Sequence, residues 1–261
     1  VRIKEPGPGK SFVGNRLEFD AEIGTEPEGK GSIFVDKFSY ALMKDDTTLL
    51  SVVMSRKEAS KPKYQVESEQ YQLKRNMGRA WALGSPVRFY GFPDEVVAYY
   101  QNADFVQSLN LWHENLFRSI FYLGPLRIKT ERLYFWTGNN PESVGFSGEN
   151  AIAALLAASG RRISTGYKKK TVPFQEMIAL KLKEMNLIEE FRVSAISEQR
   201  QEYEVKVRAK GSHEWVDLPD VGFGISQVLP VLVQCFYAPP GSIIIMEQPD
   251  IHLHPAAQAA L

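Results

Sequence analysis

A carboxylate, two imidazoles and a second carboxylate crowd the segment Glu247-Gln248-Pro249-Asp250-Ile251-His252-Leu253-His254, and glycines surround a hydroxyl in Gly222-Phe223-Gly224-Ile225-Ser226-Gln227. Glu247 is a hard oxygen ligand of the kind that holds magnesium through its water shell. Gly222 and Gly224 permit close backbone approach, and Ser226 falls where a helix N-terminus would begin. Exposed amides and the positive end of a helix dipole make such a place an anion site. His252 and His254 stand as His-x-His, which on an extended segment turns both imidazoles to one side. That pair could ligate a transition metal and make the chain a metal-dependent hydrolase. Against this, Pro255 reads as a helix start, an open zinc site needs three protein ligands, and only His113 and His213 remain.

Two elements must position these residues. Ile243, Ile244, Ile245 and Met246 form an unbroken apolar run, the pattern of a strand covered on both faces in a parallel sheet. Glu247 then lies at the carboxyl end of that strand, where open α/β sheets place their ligands, and Pro249 stops it. Upstream, Val228, Leu229, Val231, Leu232 and Cys235 recur at helical spacing, which requires Pro230 in the first turn. A glycine-rich turn, a helix and a buried strand ending in acid make one α/β unit.

This series resembles the signature motif, Walker B strand and D-loop of ABC-class ATPase heads. It is most similar to bacterial AAA ATPases allied to the OLD-family nucleases and to RecF- and SMC-type heads, in which variants of Gly-Phe-Gly-x-Ser-Gln and Glu-x-Pro-Glu-x-His-Leu-His-Pro recur. Tyr122-Leu123-Gly124-Pro125-Leu126-Arg127 and Val144-Gly145-x-x-Gly148-Glu149-Asn150 look like further elements of these families. The resemblance implies an α/β, P-loop NTPase-like fold, an ABC-type ATPase head with an antiparallel β meander and a helical insertion. It also implies ATP and Mg2+ as cofactors and a second copy of the chain as partner. Two heads would sandwich two nucleotides, with Gly222, Gly224, Ser226 and Gln227 facing the γ-phosphate held by the partner copy. Glu247 would organise magnesium on its own subunit, and His254 would lie in the D-loop at the interface. Gln248 stands where most such heads carry the general-base glutamate, which leaves Asp250 as a substitute base, or else makes the chain a non-hydrolysing scaffold that keeps the fold for dimerisation. The family's company implies DNA maintenance or anti-phage defence, with DNA and a second defence or nuclease protein as candidate partners.

The bulk numbers narrow the classes. At 261 residues the chain could bury one large core or split into two lobes, and its 31 basic and 31 acidic residues balance, so no global field advertises nucleic acid or membrane. Cys235, on an apolar helical face, rules out an intrachain disulfide and fits a reducing compartment. No signal peptide is visible and no apolar run approaches the roughly 20 residues that span a bilayer, so the expected location is cytoplasmic and no membrane partner is expected. Val1 is not an initiator methionine and Leu261 interrupts a helix begun at Pro255, the marks of a chain truncated at both ends; the Walker A loop is expected outside these residues, with slow ATP hydrolysis in the complete protein and no ATP binding by this stretch alone.

Gly9-Lys10-Ser11 invites a phosphate-loop reading, but that loop needs a further glycine where Lys4 stands, and Leu17, Phe19, Ala21 and Ile23 alternate as in a half-buried strand where a helix should follow. Residues 1–92 read as an antiparallel β region. Residues 93–190 read as mainly helical, with a broken helix to Tyr122 whose aromatics belong to a core. A helix over Ser147–Ala158 has Ser147 as its N-cap, and Met177, Ile178, Leu182 and Met185 lie on another. Between them Arg161, Arg162, Lys168, Lys169 and Lys170 form either a solvated loop or a contact for phosphate backbone. Arg127 lies on a turn, from which it could reach a phosphate or a partner subunit, or tie two loops together through a carboxylate. Residues 191–261 hold a hairpin, in which Phe191–Ile196 pairs with the alternating Tyr203, Val205 and Val207, and then the signature and Walker B lobe.

Overall fold

The structure, a computed structural model, describes residues 2–4, 11–25, 32–58, 61–78, 83–166, 168–197 and 200–261. Gly9 and Lys10 lie outside the described residues. The chain folds as two compact units, Val1–Phe117 and Arg118–Leu261.

In the first unit β1 (Arg2–Lys4) pairs antiparallel with β2 (Ser11–Val13). The strands β3 (Arg16–Thr25), β4 (Ile33–Lys44), β5 (Thr47–Glu58) and β6 (Lys61–Glu67) then form an antiparallel meander in chain order. Alternation explains it: Phe38, Tyr40, Leu42, Leu50, Val52, Met54, Tyr64 and Val66 all turn to one core. The expected alternation of β3 stops short of Ile23, which is exposed, because a register shift between Glu22 and Ile23 turns it outward. Asp45 and Asp46 both take left-handed backbone, as a two-residue hairpin turn requires. Helices α1 (Glu95–Tyr99) and α2 (Phe105–Arg118) add Val96, Phe105, Val106 and Leu109 to the same core.

The helical region ends earlier than expected. After α2 the run Ile120-Phe-Tyr-Leu, aromatic and β-branched and bounded by Gly124-Pro125, is strand β7 (Ile120–Leu123). Next come β8 (Tyr134–Phe135) and α3 (Ala151–Ala157). Ser147 is not the cap of α3. Its hydroxyl donates to Glu149, whose carboxylate also collects the amides of Phe146 and Ser147, so the chain makes a tight turn before the helix, whose N-cap position is Asn150 with no side-chain cap bond. The basic loop becomes a hairpin of β9 (Arg162–Ser164) and β10 (Thr171–Pro173). Within it Arg162 donates to Thr171, and Arg161 donates to the carbonyls of Phe236 and Tyr237 at the end of the central helix.

After α4 (Phe174–Glu184) the expected hairpin forms, β11 (Glu190–Ala195) with β12 (Glu202–Arg208), and β13 (Trp215–Asp217) and β8 also pair with β12. Helix α5 (Phe223–Tyr237) runs through the middle of this unit, burying Val228, Leu229, Val231, Leu232 and Val233 against Ile152, Leu155, Phe174, Ile178 and Val207. Pro230 lies about two turns inside α5, not in its first turn. It is tolerated because its ring is the packing surface for Gly148, and it deprives the Ser226 carbonyl of its helical donor. Cys235, on the expected apolar stripe, is exposed. Strand β14 (Ile243–Met246) then runs parallel to β7, with Ile243 beside Ile120 and Met246 beside Leu123, and α6 (Pro255–Gln258) follows. The strand is not covered on both faces as its apolar run suggested. Ile243 and Ile245 are each 48% exposed, since β14 packs α5 on its other side and pairs, among the described residues, with β7 alone.

Candidate functional site

Gly222 is the N-cap of α5 with φ +99°, a backbone only glycine adopts without strain, and it offers no side chain to the first-turn amides. Those donors therefore have no side-chain cap. Gly224 is needed for a different reason: a Cβ there would stand 3.3 Å from the His252 carbonyl, so the first turn of α5 and the segment after β14 approach closely. Ser226 is inside the helix, not at its start, and its hydroxyl donates to the Phe223 carbonyl at 2.7 Å. Beside this turn is a cavity of about 200 Å3 lined by Gly222, Phe223, Ser226 and Gln227 from α5 and by Lys129, Thr130 and Pro219. Gln227 is 9% exposed.

The parallel pairing of β7 and β14 sets the second half of the site. Tyr122 and Glu247 come together at the ends of the two strands, and the Tyr122 hydroxyl donates to Glu247 Oε1. That bond, with burial behind it, pushes the phenol above its ordinary value, so Tyr122 stays protonated as donor. The Glu247 amide donates to the Leu123 carbonyl at 3.0 Å, which carries the pairing one residue past the strand. Then the backbone turns sharply. Gln248 and His252 both take left-handed conformations, φ +45° and +62°, in side chains that disfavour them, and such strain gathers where function needs a particular backbone.

Arg127 holds that turn from beneath. It is 7% exposed, and Nη1 donates to Pro125 O at 2.8 Å and to Gln248 O at 3.2 Å. It ties two loops together, but through a backbone carbonyl in place of a carboxylate. Its Nε and Nη2 are buried without partners among the described residues, and burial lowers its pKa, so the guanidinium is retained at a cost. Asp250 keeps an exposed carboxylate while its carbonyl accepts from Leu253 N. His254 caps α6, its Nδ1 accepting from Ala256 N at 3.3 Å.

The structure thus brings Gly222, Gly224, Ser226 and Gln227 to one turn, sets that turn against His252, and joins Glu247 and Gln248 to Tyr122 and Arg127. It does not assemble a transition-metal site from His252 and His254. Among the described residues no three His, Cys, Asp or Glu side chains gather as ligands, and His254 spends one nitrogen on a helix cap. Magnesium fits better. Glu247 is exposed at the strand end, with one oxygen held by Tyr122 and the other without a partner among the described residues, ready for a hydrated cation. Triphosphate fits the uncapped turn of α5. The sequence did not point to Tyr122, Lys129 or Thr130 individually. Tyr122 reads as a strand residue, and only the parallel register puts its hydroxyl on Glu247.

No helix among the described residues is long and apolar enough to cross a membrane. No curated protein and no solved structure matches the chain. Residues 98–261, well over half of the chain and the whole of the site just described, match the family described as "AAA domain, putative AbiEii toxin, Type IV TA system". The chain belongs to this family of AAA, P-loop-type ATPases.

Proposed function

We propose that the protein is an ATP-dependent molecular switch of the ABC class, in which two copies close on nucleotide. The observation that carries this reading is the contact between an uncapped helix start at Gly222–Ser226 and the segment after Glu247, made through Gly224 and His252. One chain thereby presents an anion-binding turn and a cation-binding carboxylate side by side. In this reading the α5 turn, with Gly222, Gly224, Ser226 and Gln227, receives the γ-phosphate of the nucleotide held by the other copy, and His252 and His254 line the seam. Glu247 holds hydrated magnesium on its own subunit, where the ion neutralises phosphate charge. Tyr122 orients that carboxylate, and Arg127 keeps Gln248 in its left-handed backbone. The family's description, a toxin of a toxin–antitoxin system, supports defence over DNA maintenance as the setting. DNA and a nuclease or defence protein are then candidate partners of the closed state.

The test is closure. In the complete protein Ser226→Arg puts a bulky cation at a buried position of the turn, so circular dichroism first checks that the fold is kept; ATP-dependent dimerisation measured by light scattering should then be lost while ATP affinity of the monomer is kept. An unchanged dimer fraction would leave the glycine turn as a helix start only. A second reading, a scaffold that closes on ATP without hydrolysing it, is favoured by Gln248, because an amide can orient water but cannot take its proton.

A further inference from the structure

Four polar features converge on the cavity beside α5. The first-turn amides of the helix have no side-chain cap, since Gly222 has no side chain to offer. The Gln227 amide is nine-tenths buried and has no hydrogen-bond partner among the described residues, though it lines the cavity. Its amide group opens on that cavity, where it can donate or accept. From the segment after Arg127, Lys129 and Thr130 form the facing wall, and neither the ammonium nor the hydroxyl has a partner among the described residues. Amide N–H groups, an ammonium and a hydroxyl are donors, and an amide side chain can also donate, so the cavity wants an acceptor with several oxygens and negative charge. At about 200 Å3 it has room for a phosphoryl group and its waters.

We propose that Lys129, with Thr130, is part of the γ-phosphate receptor and supplies the only formal charge among the residues lining this cavity. The inference rests on the reading that this turn faces nucleotide held by a second copy. Ser226 and the helix amides provide directed donors but no net charge, and a triphosphate's terminal group is distinguished from water or a carbonyl mainly by its charge. A cation from the segment after β7 would therefore make closure depend on the triphosphate, and leave ADP, which ends one phosphate short, unable to bring the copies together.

The experiment compares Lys129→Glu, Lys129→Arg and Ser226→Arg in the full-length protein, with ATP, ADP and duplex DNA as probes. Lys129 is exposed, so substitution leaves the fold intact, which circular dichroism checks. Expected is a loss of ATP-dependent dimerisation of at least about tenfold in Lys129→Glu, the worth of one charge-assisted hydrogen bond, with monomer ATP affinity unchanged and with Lys129→Arg close to wild type. Dimerisation that is abolished by Ser226→Arg but indifferent to Lys129→Glu would overturn the role of Lys129 and keep the closure reading. Indifference to both would overturn the closure reading itself. Loss of DNA binding in Lys129→Glu with ATP-driven dimerisation intact would overturn the proposal in favour of a phosphate-backbone contact.

Discussion

Glu247 and Gln248 are adjacent in the chain, yet the structure supports them differently. Glu247 is held by a side chain, the Tyr122 hydroxyl, and Gln248 by its carbonyl, on Arg127. Groups that orient a metal-binding carboxylate typically affect metal affinity by about 10–100-fold. Tyr122→Phe, which removes one hydroxyl at a half-exposed position, should accordingly raise the magnesium concentration needed for half-maximal ATPase by about tenfold and leave the melting temperature where it is. Superimposed magnesium titrations would show that the hydrogen bond has no bearing on the ion. At Gln248 the argument concerns proton transfer. Turnover should be slow in the wild type and faster by about a hundredfold or more in Gln248→Glu at saturating ATP, the usual contribution of a general base. If Gln248→Glu is no faster and Asp250→Asn is inactive, the base is Asp250.

At the scale of elements, α5 is organised by its glycines and by what packs on Pro230. Gly148 has φ +82°, and a Cβ on it would lie 2.6 Å from the Pro230 ring, so both backbone and space demand glycine. Gly160 has open space around it. Gly148→Ala should destabilise the second unit by about 2–4 kcal/mol, combining backbone strain with overpacking, whereas Gly160→Ala should lie within about 0.5 kcal/mol of wild type. Denaturant titrations of both variants check this. Equal effects would mean that the turn before α3 yields freely and does not hold the helix in place. At its other end α5 has its last carbonyls taken by Arg161, so the basic loop that looked like a candidate for phosphate contacts is partly a helix cap.

At the scale of the whole molecule, acid acts on the first unit through one buried imidazole. In the first, the Tyr40 hydroxyl lies 3.0 Å from the Tyr90 carbonyl and 2.8 Å from His113 Nδ1. His113 is buried, stacked on Tyr90 at 4.4 Å and ringed by Phe19, Phe89 and Phe117, and that burial lowers its pKa. Between this lowered value and the ordinary one of about 6.5, the unfolded chain binds a proton that the folded unit refuses. Stability of the first unit therefore rises with pH through that window, is full above about 6.5, and falls as the medium is acidified. Denaturant midpoints between pH 7.5 and 5.5 should fall in the wild type and be flatter in His113→Gln. A wild-type midpoint insensitive to pH would mean that the imidazole charges in place.

Local patterning, visible in one dimension, accounts for the elements: the meander from Arg16 to Glu67, the hairpin of β11 with β12, the apolar stripe of α5 and the strand ending at Glu247 all follow from periods of two or 3.6 and from turn residues. The family resemblance was likewise carried by residues close together in the chain, Gly222 to Gln227 and Glu247 to His254, and the family match bears it out at the level of an AAA ATPase. What no period encodes is who meets whom across long separations. Tyr122 reaches Glu247 only because β7 and β14 pair in parallel with Leu123 beside Met246. Arg127 is buried under Gln248, with two carbonyls converging on its Nη1. Pro230 sits mid-helix because Gly148 leaves room for its ring. Side-chain spacing along an element is set by backbone geometry shared by all sequences, whereas these contacts depend on the packing of segments up to 125 residues apart, which the chain acquires only when its core closes.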